Sequence, residues 1–173
     1  SVMGCAVVRG LQGPDSARYR KLWACAKHYA VHSGPESTRH TANINDVSPR
    51  DLWETYLPAF KSLVQDADVR EVMCAYQSVD DEPCCSNTRL LQQILRKEWG
   101  FDGFVVSDWG ACNDPVAAIQ NGSDLNMPAP GLGNAAYVVR QVREGKLSEQ
   151  ALDERLAELL PVILETTAAY NLK

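Results

Sequence analysis

The chain has 173 residues, with 17 Lys and Arg against 22 Asp and Glu, a formal net charge of −5. That balance argues against a nucleic-acid surface, which needs clustered cations, and no apolar run reaches the roughly 20 residues that span a bilayer. The length allows one self-contained domain, but it is short of the roughly 200 to 250 residues of a complete (β/α)8 barrel.

Ser1-Val2-Met3-Gly4 carries no charged n-region or long apolar h-region, and the first ten residues read as the end of a helix. Four short apolar runs read as strands, at 22–29, 71–75, 103–107 and 123–126. Val72-Met73-Cys74-Ala75 and Phe104-Val105-Val106 lack polar alternation, as strands buried on both faces do. Between them lies helix punctuation. Ser48-Pro49-Arg50-Asp51 offers an N-cap, a Pro at the first helical position and an early acid. Leu52, Tyr56, Leu57, Phe60, Leu63 and Val64 then recur on one face. Asn87 precedes a helix that turns Leu90, Leu91, Ile94 and Leu95 inward and stops near Gly100. Further helices are expected at 115–120 and 134–144. A last one, capped by Ser148, turns Leu152, Leu156, Leu159, Leu160 and Ile163 to one side. Pro161 is expected to kink it or end its regular part. Strands alternating with helices imply an α/β fold of right-handed βα units, whose chemistry sits past the carboxyl ends of the strands.

The six cysteines form no C-x-x-C pair, and no His stands at zinc-finger spacing, so no structural zinc site is expected. Cys25, Cys74 and Cys112 lie in or beside apolar stretches, where a free Cys acts as a small hydrophobe. Cys84 and Cys85 read as loop residues or one surface disulfide. Cysteine usage leaves the compartment open.

The strand ends hold the polar residues of interest. Lys27-His28 closes the first run; the pair is either two donors aimed at ligand hydroxyls or an ion-paired Lys beside a satisfied core His. His28 and His32 make an H-x-x-x-H pair without the Glu of a zinc protease, so no metal is expected there. After the second run, Asp80-Asp81-Glu82 reads more simply as a solvated turn than as a cation site. Tyr76 can present its hydroxyl to a carboxylate or ligand. After the third comes Ser107-Asp108-Trp109-Gly110. An Asp at the end of an apolar strand is costly unless hydrogen-bonded or functional, so Asp108 reads as a reactive carboxylate or a strand-end cap. Trp109 offers a flat face for the C–H groups of a sugar ring. Asp124 reads as a structural hydrogen-bonding residue.

At these motifs the chain resembles the barrel domain of glycoside hydrolase family 3, which includes β-glucosidases, β-xylosidases and N-acetyl-β-hexosaminidases. The similar stretches are Lys27-His28-Tyr29, Glu36-Ser37-Thr38-Arg39, the run at 51–60, Val72-Met73-Cys74-Ala75-Tyr76, the run at 95–110, Gly122-Ser123-Asp124-Leu125 and Gly145-Lys146-Leu147-Ser148. The resemblance implies a partial (β/α)8 TIM-type barrel, roughly its last four βα units, over 1–173. It further implies that the first barrel strands and a downstream α/β sandwich domain lie outside the chain.

The resemblance also implies a retaining, exo-acting β-glycosidase with Asp108 as nucleophile. Lys27, His28 and Arg39 would bind sugar hydroxyls, with Met73 and Tyr76 at the M-x-x-Y positions and Trp109 packing on the sugar. The substrate would be a β-linked oligosaccharide or aryl glycoside, and no metal or organic cofactor is required. Relatives that degrade polysaccharides are often periplasmic or secreted. The general acid usually comes from the downstream domain, and Lys173 stands where a linker would begin. An early substrate-binding Asp and a further Arg have no counterpart here. Tyr76-Gln77-Ser78-Val79-Asp80-Asp81 departs from the family's Y-N-x-V-N-G. The Asp/His loop of acetamide-specific members is not found, which favours glucosyl or xylosyl substrates. The competing expectation is a non-catalytic barrel fragment that binds sugar or completes itself by association.

Overall fold

The computed structural model describes residues 1–14, 16–129 and 132–170. Helix α1, Val2–Gln12, leads to strand β1, Cys25–Tyr29. The short strand β2, Asn43–Ile44, and the helical turn α2, Pro49–Asp51, follow. Helix α3, Pro58–Gln65, then precedes strand β3, Glu71–Cys74. Strands β4, Ser78–Val79, and β5, Glu82–Pro83, come before β6, Phe104–Ser107. Helices α4, Pro115–Asn121, α5, Leu132–Arg143, and α6, Glu149–Tyr170, complete the order.

Three of the four expected strands pair in parallel, in the order β1-β3-β6. Val72 stands opposite Ala26 on one side and Val105 on the other, and every residue of β6 is buried. The fourth run makes a single parallel bridge, Val106 to Leu125. Its ladder stops there because Val105 O accepts the N–H of both Asp124 and Leu125, at 2.9 and 3.0 Å. The Asp124 side chain then takes the Val105 N–H at 2.6 Å.

Alternate residues of these strands face opposite ways. One face, with Ala26, Tyr29, Val72, Cys74 and Val105, packs against helix residues including Val8, Val64, Leu90, Leu91, Ile94 and Leu95. The other face holds Met73, Phe104 and Val106 against Val162 of α6.

The helix signals act as read. Ser48 Oγ accepts the Asp51 N–H at 3.0 Å. The helical stretch widens to π bonding over Leu52–Tyr56, where Leu57 N–H reaches back five residues to Leu52 O just ahead of Pro58, which has no N–H of its own. The Asn87 side chain accepts the Leu90 N–H at 2.9 Å and opens the π-bonded helix Arg89–Glu98. Ser148 Oγ caps α6 through Ala151 N–H.

α6 departs from expectation in two respects. It runs through Pro161, which lies on the exposed side together with Ala157, so water can satisfy the carbonyl that lacks its usual donor. Its buried face is Arg155 and Val162; of the expected stripe, Leu152 and Leu159 are half-buried, with Leu159 packed on the core, whereas Leu156, Leu160 and Ile163 are exposed. A buried ionic cluster turns the helix this way. Arg96 contacts Asp124 at 2.8 Å and Glu158 at 2.7 Å, and Arg155 Nε lies 2.9 Å from both Asp124 Oδ1 and Glu158 Oε2. The Arg155 N–H is aligned on Glu158, so Asp124 Oδ1 has the ion contact without an aligned hydrogen bond.

A second, small sheet was not legible in the sequence, because strands of two residues carry no period. β2 pairs in parallel with β4, and β4 pairs antiparallel with β5. Asp80 and Asp81 form the two-residue connection with φ of 53° and 67°, the left-handed conformation that tight hairpins require. Asn43 and Asn45 both donate to Asp81 Oδ1 and accept its backbone N–H, which ties the acidic turn to β2.

The cysteine expectation is corrected. Cys74 is not a free hydrophobe but is bonded to Cys85, and both Cys84 and Cys85 are buried rather than in a surface loop. The 3-10 turn Cys84–Ser86 lies under the end of β3, which brings the two sulfurs together.

Candidate active site

Asp108 follows the last residue of β6 and is 8% exposed. Its backbone extends the sheet by one bond, donating N–H to Cys74 O at 3.2 Å. Ala111 N–H returns to Asp108 O at 2.9 Å and Gly110 N–H bonds Met127 O at 2.9 Å, so the turn after the strand is fixed on both sides. Gly110 takes φ of 81°, which favours glycine. Asp108 Oδ1 accepts the Trp109 N–H at 2.7 Å, and Oδ2 lies 3.2 Å from His28 Nε2.

His28 reaches this point from β1. The β1–β3 register slips between Lys27 and Tyr29, leaving His28 outside the ladder, and such a bulge re-aims side chains. Burial lowers the affinity of His28 for a second proton, opposed by the Asp108 carboxylate and reinforced by His32, Lys27 and Arg39. Burial thus favours the neutral ring, whose Nε2 faces the carboxylate at 3.2 Å.

Tyr76 arrives from the end of β3. Its hydroxyl donates to Trp109 O at 3.1 Å. Its ionisation is pushed up by burial and then by the neighbouring Asp108 carboxylate. Arg39 lies over the Tyr76 ring at 4.8 Å and is also ion-paired with Glu36. Trp109 is 49% exposed, an open aromatic face beside the carboxylate.

Asp108, His28, Tyr76, Arg39 and Trp109 thus converge, and Lys27 stands on the exposed side of β1 close enough to His28 to oppose its charging. Met73 does not join this ring of polar groups; its side chain packs with Phe104, Val106 and Val162. Three neighbours were missed in the sequence. The His32 ring lies 4.8 Å from that of His28, the His40 ring lies 4.2 Å edge-on to Tyr76, and Gln77 is hydrogen-bonded to His32. The H-x-x-x-H spacing was the available signal; it fits no metal pair, and the two rings instead lie close together, tilted by 53°.

The family model of the glycosyl hydrolase family 3 N-terminal domain matches residues 1–162. The chain belongs to glycosyl hydrolase family 3. It is 60% identical over 172 residues to a xylan 1,4-β-xylosidase of Xylanibacter ruminicola, covering 92% of this chain and 20% of that protein. It is 41% identical over 163 residues to thermostable β-glucosidase B of Acetivibrio thermocellus, covering 94% of this chain and 20% of that protein. Among solved structures, β-glucosidase 3B from Thermotoga neapolitana in complex with glucose superposes with a TM-score of 0.78 at 36% identity. That match covers 83% of this chain and 21% of the other. A family 3 exo-β-xylosidase in complex with a xylobiose aziridine probe gives a TM-score of 0.82 at 27% identity, over 95% of this chain and 23% of the other. The chain spans about a fifth of the length of the curated relatives it matches.

Proposed function

We propose that this chain is the nucleophile-bearing part of a retaining, exo-acting β-glycosidase, contributing roughly the last four βα units of a (β/α)8 barrel. The observation that carries the reading is Asp108, nearly buried at the end of the fully buried β6, with His28 at 3.2 Å and the Tyr76 hydroxyl beside it. The parallel order β1-β3-β6 with Leu125 bridged at its edge supports the barrel assignment.

A retaining glycosidase uses two carboxyl groups about 5 to 5.5 Å apart. Asp108 attacks the anomeric carbon while the bond to the leaving oxygen breaks, and a general acid gives that oxygen its proton. Water then adds to the glycosyl ester, losing a proton to the same acid/base group, and Asp108 is released as carboxylate. Within this chain, His28 Nε2 faces the attacking carboxylate at 3.2 Å, and the Tyr76 hydroxyl beside it donates to Trp109 O, fixing the turn that carries Asp108. Lys27 and Arg39 supply donors for sugar hydroxyls, and Trp109 supplies the stacking face. The general acid comes from outside the chain.

Terminal β-D-xylosyl residues are the first substrate class, because the 60% identical relative is a xylosidase; β-D-glucosyl residues are the second. The test is turnover of an aryl β-xyloside and an aryl β-glucoside by the full-length protein, abolished in Asp108→Asn. Turnover that survives the substitution would remove Asp108 from the chemistry.

The isolated 173 residues are read as binding sugar or self-associating without turnover. Exposed apolar residues on α1 (Val2, Met3, Val7) and on α6 (Leu156, Leu160, Leu164) favour this. Turnover by the purified chain alone would contradict it.

A further inference from the structure

Gln77 stands where the family pattern has Asn, and its longer arm bridges two groups. It is 3% exposed, so its amide is held in one setting by its neighbours. Nε2 donates to Ala30 O at 2.7 Å, and that carbonyl can only accept. The amide orientation is thereby fixed, and Oε1 faces His32 Nδ1 at 3.1 Å. Since Oε1 can only accept, the proton of the neutral His32 ring sits on Nδ1 and its Nε2 presents a lone pair.

The His32 ring stands beside the candidate site. His32 is exposed, and its ring lies 4.8 Å from His28 and 6.3 Å from Tyr76, the two side chains that contact Asp108. His32, Arg39 and Gln77 line one small cavity, with Thr38 and Ile44. Its volume of about 20 Å³ takes one hydroxyl-sized group. Lys27 and Arg39 can only donate. A sugar hydroxyl both donates and accepts, so a hydroxyl held on this side by Lys27 or Arg39, away from the Asp108 carboxylate, needs a further acceptor for its own proton.

We infer that His32, held in its Nδ1–H tautomer by Gln77, is a specificity-determining residue that accepts a hydrogen bond from one hydroxyl of the bound saccharide at Nε2. This rests on the glycosidase reading and adds to it a residue that reads hydroxyl position. A site built to hydrogen-bond a hydroxyl rejects the analogue lacking it, because the acceptor is then left unpaired.

The experiment uses the full-length enzyme with p-nitrophenyl β-D-xylopyranoside and its three monodeoxy analogues. His32→Phe is expected to raise KM for the parent substrate roughly tenfold, with kcat changed far less. For one of the deoxy analogues it is expected to have almost no effect, since the lost bond is already missing. His32→Gln, which restores an acceptor, should recover part of the loss. A KM increase shared equally by all three analogues, or no increase at all, overturns the inference.

Nitrogen NMR of the histidine rings gives a second arm. The prediction is an Nδ1–H tautomer for His32, converted to a mixture in Gln77→Asn, and a shift of Nε2 on adding D-xylose. An Nε2–H tautomer, or an Nε2 that D-xylose does not move, also overturns it. The glycosidase reading fails on different data: no turnover by the wild-type enzyme and no covalent labelling of Asp108.

Discussion

His28 Nε2 lies 3.2 Å from Asp108 Oδ2, joining the end of β1 to the end of β6 across the intervening β3. The contact exists because the register slip at Lys27–Tyr29 frees His28 from the ladder while Asp108 is held by Cys74 O. Two strand ends thus place a carboxylate and an imidazole side by side.

Replacing Asp108 by Asn keeps the shape of the site and removes the charge. The full-length enzyme should lose about 10⁴-fold or more in kcat, the scale on which loss of a covalent nucleophile falls. Steady-state kinetics on an aryl β-xyloside checks this. A loss below tenfold would return Asp108 to the role of strand-end cap.

His28 makes stability depend on pH. Its proton affinity is lowered from the usual 6.5 in the folded state, chiefly by burial, so the unfolded chain binds the proton more tightly. The contribution is fully present above the unfolded value of about 6.5, is lost as pH falls toward the lower folded value, and levels off beneath it. Urea midpoints should therefore fall between pH 7.5 and pH 5 by more in the wild type than in His28→Phe. Equal slopes in the two proteins would show that the ring titrates as it does in the unfolded chain.

Much of the fold was legible because it rests on local signals. Ser48, Asn87 and Ser148 cap helices as their spacing predicts, and the apolar runs around Val72 and Val105 pair as buried parallel strands. What was not legible depends on long-range partners. The 123–126 run reads as a strand, but Asp124 bonds Val105 and Arg96 and is ion-paired with Arg155. The α6 stripe of Leu152, Leu156, Leu159, Leu160 and Ile163 reads as the buried face, yet the ionic cluster draws Arg155 inward and leaves Leu156, Leu160 and Ile163 exposed. At the site, Asp108 and His28 were visible as polar residues at strand ends. The bond between Gln77 and His32 was not, since it depends on the Ala30 carbonyl.

Arg155→Ala should be among the most damaging substitutions away from the site. Its guanidinium contacts Asp124, whose carboxyl is fully buried, and Glu158, so its loss leaves buried acids short of a cation. Breaking such a pair from one side costs about 3 to 5 kcal/mol. Chemical denaturation reads this directly. Arg50→Ala, which removes an exposed helical ion pair with Glu54, should leave the midpoint nearly unmoved.

The Cys74–Cys85 bond closes a loop between residues 11 apart, under the strand end whose carbonyl holds Asp108 N–H. In the chain-entropy view a loop of that size contributes about 3 kcal/mol. Cys85→Ala should lower the unfolding midpoint accordingly, and dithiothreitol should destabilise the wild type but not the variant. Equal sensitivity of both proteins to the reductant would contradict the pairing.

The covalent role of Asp108 can be trapped directly. A 2-deoxy-2-fluoro β-xyloside with a good leaving group, incubated with the full-length enzyme, should trap a glycosyl ester. Peptide mass analysis should place it on the peptide containing Ser107-Asp108-Trp109, and Asp108→Asn should abolish it. A label on any other carboxylate, or turnover of the activated fluoro sugar with no label on Asp108, would contradict the assignment.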